Sequence, residues 1–222
     1  MSFAEHAGAG RPAVSQEVTP QAGTTRLAGD LTVPEDASSI VIFAHGSGSS
    51  RRSARNRHIA RVLTDAGLGT LLFDLLTPEE ETDRGHVFDI GLLGGRLAEV
   101  TRWVRAQPRT AGTAIGYFGA STGAAAALWA AAEPGAGIAA VVSRGGRPDL
   151  AGARLSAVSA PTLLIVGGDD EDVLDLNRRA RAALRCPSDL AVVPGATHLF
   201  EEPGTLDAAA RLARDWFTRH LG

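Results

Sequence analysis

Short hydrophobic runs alternate with amphipathic stretches along most of this chain. Residues 40–44 (IVIFA) form a continuous β-branched and aromatic run, as expected of a strand buried on both faces of a sheet. Further along, Ile59, Val62 and Leu63 are spaced as on one side of a helix, and Gly67 ends that segment. The same criteria predict strands at 27–33, 40–44, 70–73, 113–118, 138–142, 162–166 and 190–193, and helices at 56–66, 89–105, 122–133, 173–184 and 206–220.

This alternation of strands and helices predicts an α/β fold. Such an order produces a mostly parallel, twisted sheet with right-handed crossovers and helices on both faces. No repeat, linker or charge block divides the chain, so we expect a single domain over residues 24–222, preceded by an N-terminal arm or edge strand at 1–23. In sheets of this kind, ligands bind beyond the carboxyl ends of the strands, and functional residues are therefore sought there.

Composition excludes several classes of function. The 222-residue chain has a net charge of −3, so no global positive field attracts nucleic acid or an anionic membrane. All 22 basic residues are arginine, which excludes a phosphate-loop lysine, a Schiff-base lysine and a pyridoxal anchor within this chain. Cys186 is the single cysteine, so neither a disulfide nor a cysteine-based metal site is expected. We therefore expect no cofactor and no metal.

The chain shows no targeting segment of the usual kinds. Its longest apolar run, residues 124–132, is far shorter than the ~20 residues of a membrane-spanning helix. The first residues lack the basic start and apolar stretch of a secretory signal. The expectation is a cytoplasmic protein that acts on a small molecule as a monomer or homodimer.

A candidate nucleophile follows the predicted strand at 113–118. GASTG (residues 119–123) is a G-x-S-x-G motif between a strand and a helix. In that context Ser121 sits on a tight, strained turn that exposes its hydroxyl, and the flanking glycines allow strand and helix to approach. The alternative is a glycine-rich turn with a serine that caps the helix.

Two later strand ends carry a candidate acid and a candidate base. GGDDEDV (residues 167–173) offers three aspartates, of which Asp170 fits best because it precedes the next helix, whereas Asp172 suits a helix cap. GATH (residues 195–198) places His198 in a loop after a late strand. Ser121, Asp170 and His198 follow the order nucleophile, acid, base, with each residue at the carboxyl end of a strand.

The loop after residues 40–44 is a candidate oxyanion hole. HGSG (residues 45–48) is built from small residues that allow a backbone N–H to reach a reacting carbonyl oxygen. We expect the N–H groups of Ser47 and Thr122 to be the two donors. A phosphate-binding loop is the alternative, disfavoured because neither G-x-G-x-x-G nor lysine is present. His45 is expected to be a structural turn residue.

Substrate contacts are less defined by the sequence. Residues 75–90 contain no strong element and follow a strand end, so they border the cleft in this interpretation, with Leu75 and Phe88 as an apolar wall. Arg144 and Arg147 follow another strand end. They would either bind a carboxylate of the substrate or pair with nearby acidic residues.

Together these motifs resemble the α/β-hydrolase superfamily, and most closely its small, cap-free branch around the dienelactone hydrolases. The resemblance covers residues 24–222 and rests on HGSG, GASTG, GGDDEDV and GATH. It implies an eight-stranded, mostly parallel sheet without a separate cap domain, and serine hydrolase chemistry. The sequence departs from true dienelactone hydrolases, whose nucleophile is cysteine, because Ser121 stands at that place. This departure points away from a dienelactone substrate.

The predicted function is a serine esterase. An acyl-enzyme on Ser121 would form from a carboxylic ester, thioester or lactone of a small molecule. Two alternatives remain open at this point. The same three residues serve acyl transfer or thioester cleavage, and an α/β-hydrolase fold also occurs as a non-catalytic binding protein.

Overall fold

The computed structural model describes residues 13–222 and contains an eight-stranded sheet in the order β1-β4-β6-β5-β7-β8-β9-β10, with a separate two-stranded pair, β2-β3. The strands are β1 (Ala13–Val18), β2 (Gln21–Ala22), β3 (Thr25–Arg26), β4 (Gly29–Pro34), β5 (Ser39–Ala44), β6 (Gly69–Phe73), β7 (Ala114–Ala120), β8 (Ala140–Arg144), β9 (Thr162–Gly167) and β10 (Ser188–Val193). The α-helices are α1 (Ala54–Asp65), α2 (Arg84–Phe88), α3 (Ile90–Ala106), α4 (Thr122–Ala131), α5 (Glu171–Ala183) and α6 (Thr205–Leu221). Two 3-10 segments lie at Glu80–Thr82 and Pro148–Ala157.

In the order of the sheet, the six strands from β6 to β10 are parallel to one another. The pairs β1-β4 and β4-β6 at the other side of the sheet are antiparallel. β5 pairs in parallel with β6 and β7, and β8, β9 and β10 continue in the same direction. β4 runs antiparallel to both β1 and β6. Parallel neighbours need long crossovers, whereas the short β2-β3 hairpin suffices to return the chain from β1 to β4. The predicted α/β fold with a mostly parallel sheet is confirmed, and residues 1–12 of the expected N-terminal segment lie outside the described residues.

The core forms two layers, one on each face of the sheet. Along β5, Ile40 and Ile42 join the layer beneath α3 and α4, while Val41 and Phe43 join the layer beneath α1 and α6. This alternation is the side-chain period of a strand, and it explains why β5 is buried along its whole length. The alanines of α4 at 124–127 are fully buried, so this helix lies close to the sheet. The carboxyl ends of β5, β7, β8 and β9 therefore meet at one edge above a rigid core.

The segment between β6 and α3 differs from the sequence prediction. Instead of lacking structure, it contains a 3-10 turn and the short helix α2. Glu80 receives two hydrogen bonds from the guanidinium of Arg96, each 2.5 Å long. Arg96 also donates to the carbonyl of Leu75 at 3.1 Å, which attaches this segment to α3. None of the helices within residues 13–222 combines the length and apolar character needed to cross a membrane.

Candidate active site

Ser121 stands at a strained turn between β7 and α4. Its backbone has φ 51° and ψ −123°, a conformation that residues other than glycine rarely adopt. The turn is possible because its neighbours are glycines. A Cβ on Gly119 would lie 2.4 Å from Ala124 Cα, and one on Gly123 would lie 2.1 Å from the carbonyl oxygen of Ala44. The motif therefore has the close backbone packing that the sequence predicted, and the serine does not cap the helix with its side chain.

His198 and Asp170 are joined by a short hydrogen bond. His198 Nδ1 lies 2.7 Å from Asp170 Oδ2, although the two residues are 28 positions apart in the chain. The Asp170 side chain is 14% exposed and that of His198 is 38% exposed. Of the three candidate aspartates, Asp170 is thus the one that contacts the imidazole, and Asp172 lies in the first turn of α5, where an acidic group suits the helix dipole.

This hydrogen bond fixes the orientation of the imidazole. A carboxylate accepts, so Nδ1 of His198 donates, and Nε2 is the nitrogen left to accept a proton. Ser121 and His198 line the same cavity. Within residues 13–222 no hydrogen bond joins the Ser121 hydroxyl to the His198 ring, and such contacts commonly tighten only when substrate binds.

Two adjoining cavities share the loop at 46–50. The first, here called the Ser121 cavity, has a volume of about 640 Å³ and includes Ser121, Arg144 and His198. The second, here called the Leu75 cavity, has a volume of about 330 Å³ and includes Leu75, Leu76, Val87, Leu93 and Thr122. The loop at 46–50 therefore forms a wall that the two cavities have in common.

The predicted oxyanion donors lie together, and one of them is engaged. The N–H of Ser47 donates to the Thr122 hydroxyl at 2.9 Å, across 75 positions of sequence. Ser47 N–H is therefore not free in this structure, and its expected role as an oxyanion donor requires that this hydrogen bond be exchanged. The Thr122 N–H belongs to the first turn of α4, where N–H groups have no partner within the helix. A substrate oxygen would have to take the place of the Thr122 hydroxyl as acceptor.

His45 is a structural residue, as the sequence suggested. Its Nε2 accepts a hydrogen bond from the N–H of Leu75 at 3.0 Å, so Nδ1 carries the proton and donates to the carbonyl of Gly46 at 3.0 Å. Burial lowers the pKa of His45, which favours this neutral ring. The residue thus holds the loop at 45–48 against the start of the segment at 75–90.

The two residues of the predicted apolar wall have different positions. Leu75 is buried and lines the Leu75 cavity. Phe88 needs correction, because it is 48% exposed and lines neither cavity. Its ring instead lies 5.7 Å from the guanidinium of Arg84. One position along α2 turns the side chain by about 100°, so Val87 faces the Leu75 cavity and Phe88 faces solvent.

The two candidate arginines also have different environments. Arg147 forms two hydrogen bonds with the carboxylate of Asp149, at 2.9 and 2.8 Å, and this contact raises the pKa of Arg147. Arg147 therefore follows the alternative interpretation, pairing with a nearby acid. Arg144 is 6% exposed, lines the Ser121 cavity and, among the residues that the structure describes, has no acidic partner within 4.0 Å.

Several residues that line the Ser121 cavity were not identified from the sequence, among them two arginines and an asparagine. Arg52, Arg55 and Asn56 lie at or just before the start of α1 and line the cavity. Their position in the sequence could have indicated this role, because they directly follow the HGSG loop, which leads from the end of β5 into α1. Across residues 13–222, no group of three His, Cys, Asp or Glu side chains is arranged to hold a metal ion.

Comparison with known proteins places this geometry in a family. The chain is 52% identical to a dienelactone hydrolase from Anabaena variabilis of known crystal structure, over 95% of this chain and 99% of the other, with a TM-score of 0.91. The chain belongs to the dienelactone-hydrolase-like branch of the α/β-hydrolases. This dienelactone-hydrolase-like protein also shares its fold with Est1E from Butyrivibrio proteoclasticus, at 14% identity over 92% of this chain and 98% of Est1E, with a TM-score of 0.77. The chain accordingly has the α/β-hydrolase fold.

A longer relative carries a different name. A Mycobacterium tuberculosis protein, whose name assigns it provisionally to the phosphoribosyl transferases, is 63% identical to this dienelactone-hydrolase-like protein over 215 residues. The match covers 97% of this chain and 48% of the relative. The chain thus spans about half the length of the curated relatives it matches first. No protein-family model matches the chain.

Proposed function

We propose that this protein is a serine hydrolase that cleaves carboxylic esters of small molecules through an acyl-enzyme on Ser121. The observation that carries the proposal is the 2.7 Å hydrogen bond between His198 and Asp170, at the cavity that Ser121 lines. A carboxylate that orients an imidazole at the cavity of a candidate serine nucleophile is the arrangement that nucleophilic acyl transfer requires.

The mechanism follows from the orientation of the imidazole. His198 Nε2 takes the proton of the Ser121 hydroxyl while the serine oxygen attacks the ester carbonyl carbon. The tetrahedral intermediate collapses, and His198 returns the proton to the departing alcohol. Water then attacks the acyl-enzyme with its proton passing to His198, and the acid leaves as Ser121 regains its hydrogen. Asp170 stabilises the protonated ring in both steps and keeps Nδ1 as the donor.

The developing oxyanion is stabilised by two backbone donors, one at the start of α4 and one in the loop after β5. The Thr122 N–H and the Ser47 N–H are the proposed pair, and each such donor contributes roughly 2.7–4 kcal/mol to the transition state. The carbonyl oxygen displaces the Thr122 hydroxyl from Ser47 N–H, at present a 2.9 Å contact. Since a charged oxygen is a stronger acceptor than a hydroxyl, this exchange favours the intermediate over the bound ester.

The transferase name of the mycobacterial relative concerns a protein about twice as long as this chain. The matching part contains Ser121, Asp170 and His198, so the proposed ester chemistry belongs to that part. We propose no phosphoribosyl transfer for this chain.

The test is active-site labelling combined with ester turnover. A fluorophosphonate probe should add once to the folded protein, with the modified peptide containing Ser121. Ser121→Ala should remain unlabelled and should lose several orders of magnitude in turnover of p-nitrophenyl butyrate, as expected for loss of the nucleophile. Ser159→Ala removes an exposed serine far from the motif in sequence and should behave as the wild type.

Two results would contradict the proposal. Retained turnover in Ser121→Ala would exclude Ser121 as nucleophile. A folded wild-type protein that neither takes up the probe nor cleaves any member of an ester chain-length series would favour a binding protein with this fold.

A further inference from the structure

Among the residues that the structure describes, Arg144 carries a buried charge with no acidic partner. The residue is the last of β8 and is 6% exposed, and its Nε is buried without a hydrogen-bond partner within residues 13–222. Its guanidinium carbon lies 5.5 Å from the centre of the Phe200 ring. A cation–aromatic contact offsets part of the cost of burial but supplies no hydrogen-bond acceptor.

Such a group is unusual in a folded protein. Buried charges are normally paired, because removing an ion from water is costly. Burial, with a smaller effect from the charge of Arg55, lowers the pKa of Arg144 to about 10, so the guanidinium remains positive at neutral pH. Arg147, three positions later, shows the paired alternative in the same protein through its contact with Asp149.

The unpaired charge faces the site of the proposed chemistry. Ser121 N–H donates to the Arg144 carbonyl at 3.3 Å, and the Arg144 side chain lines the Ser121 cavity. Arg52 and Arg55 line the same cavity, and none of its described lining residues is Asp or Glu. Arg55 is paired with Glu201 at 2.9 Å and Arg52 is exposed to solvent, so Arg144 supplies the buried, uncompensated charge of the cavity.

We propose that Arg144 binds an anionic group of the substrate, a carboxylate or a phosphate, and so selects esters that carry negative charge. This inference rests on the proposed function, because it names the substrate class of the same site. The planar guanidinium suits two-point contact with either anion. β7 and β8 are adjacent strands, about 4.8 Å apart, so the anion and the scissile carbonyl belong to one small molecule with a short spacer.

The test compares matched neutral and anionic esters. Turnover of p-nitrophenyl butyrate is measured beside that of p-nitrophenyl hemisuccinate and hemiglutarate, for the wild type, Arg144→Gln and Arg211→Gln. The last variant removes an exposed arginine of α6 and controls for net charge. We expect the wild type to prefer the anionic esters and Arg144→Gln to lose ~10- to 100-fold in kcat/KM on them, mainly through KM, since a hydrogen bond to a charged group is worth roughly 1.5–3 kcal/mol.

Turnover of the neutral ester should fall at least about fivefold less than that of the anionic esters in Arg144→Gln, since its recognition does not involve the anion. Arg144→Lys, which keeps the charge, should retain part of the selectivity. Competition by succinate and by inorganic phosphate distinguishes the two sources of the anion. The stronger inhibitor identifies the class, and inhibition by both should weaken in Arg144→Gln.

Several outcomes would overturn the inference. The inference fails if the wild type shows no preference for the anionic esters. It also fails if Arg144→Gln loses kcat/KM equally on neutral and anionic esters while its urea midpoint is unchanged, because Arg144 would then act on the reacting carbonyl. If no ester is cleaved at all, the proposed function fails. Calorimetric titration of wild type and Arg144→Gln with glutarate and phosphate then still decides whether Arg144 binds an anion.

Discussion

The backbone strain at Ser121 predicts an unusual order of stability between two variants. Ser121→Ala keeps the Cβ atom and therefore keeps the unfavourable conformation at φ 51° and ψ −123°. Ser121→Gly removes Cβ and with it the steric origin of the strain. We therefore expect the glycine variant to be the more stable of the two, which reverses the usual order of alanine and glycine.

The expected difference can be worked out from two contributions. A non-glycine residue in such a conformation costs about 1–3 kcal/mol. Glycine loses roughly 0.5–1 kcal/mol relative to alanine through its greater freedom in the unfolded chain. Ser121→Gly should therefore exceed Ser121→Ala by about 0.5–2 kcal/mol in the free energy of unfolding. For a chain of this length each kcal/mol corresponds to roughly 2–4 °C in Tm.

Urea unfolding of both variants, followed by circular dichroism, measures this difference. The control pair is Ser159→Ala and Ser159→Gly, at an exposed position outside the helices and strands whose φ is not positive. There the glycine variant should be the less stable. If Ser121→Gly were also less stable than Ser121→Ala, the turn would store no strain, and the reasoning from its dihedral angles would be refuted.

Two further predictions concern packing and acid stability. Gly123→Ala would bring a methyl group to 2.1 Å from the carbonyl oxygen of Ala44, so we expect the free energy of unfolding, measured in urea, to fall by about 3 kcal/mol or more. The control is Gly95→Ala in α3, where a Cβ meets nothing within 4 Å, and this variant should be neutral or stabilising. A Gly123→Ala variant of unchanged stability would contradict the close approach of the two backbones. Hydrogen bonds from Arg96 lower the pKa of Glu80 from 4.5 to about 2, so the contact stabilises the protein fully above about pH 4.5 and progressively less as the pH falls towards 2. Glu80→Gln should therefore cost about 1–2 kcal/mol at pH 7, allowing for partial exposure, and much less at pH 2, where about half of the carboxyl groups are protonated. A difference independent of pH would refute this origin.

The fold and the grouping of the candidate site follow from local patterns in the sequence. A continuous hydrophobic run such as 40–44 is assigned as a strand because a strand buried on both faces needs apolar side chains at every position. The carboxyl ends of parallel strands then meet at one edge of the sheet. The order of Ser121, Asp170 and His198 then indicates which side chains converge there. The hydrogen bond between His198 and Asp170 agrees with that order.

Details that depend on side-chain direction could not be predicted in this way. Whether Val87 or Phe88 faces the cavity depends on the phase of a five-residue helix that showed no clear hydrophobic period. The contact of Ser47 N–H with the Thr122 hydroxyl joins two loops that no local pattern connects. Likewise, Arg144 is distinguished from neighbouring arginines by the absence of an acidic partner in the described structure, a property of three-dimensional surroundings.

The hydrogen bonds of His45 have a consequence for how the protein responds to acidity. A ring with protons on both nitrogens has no acceptor left for the N–H of Leu75, and burial opposes the added charge. The junction between the 45–50 loop and residue 75 therefore keeps one shape over the physiological pH range.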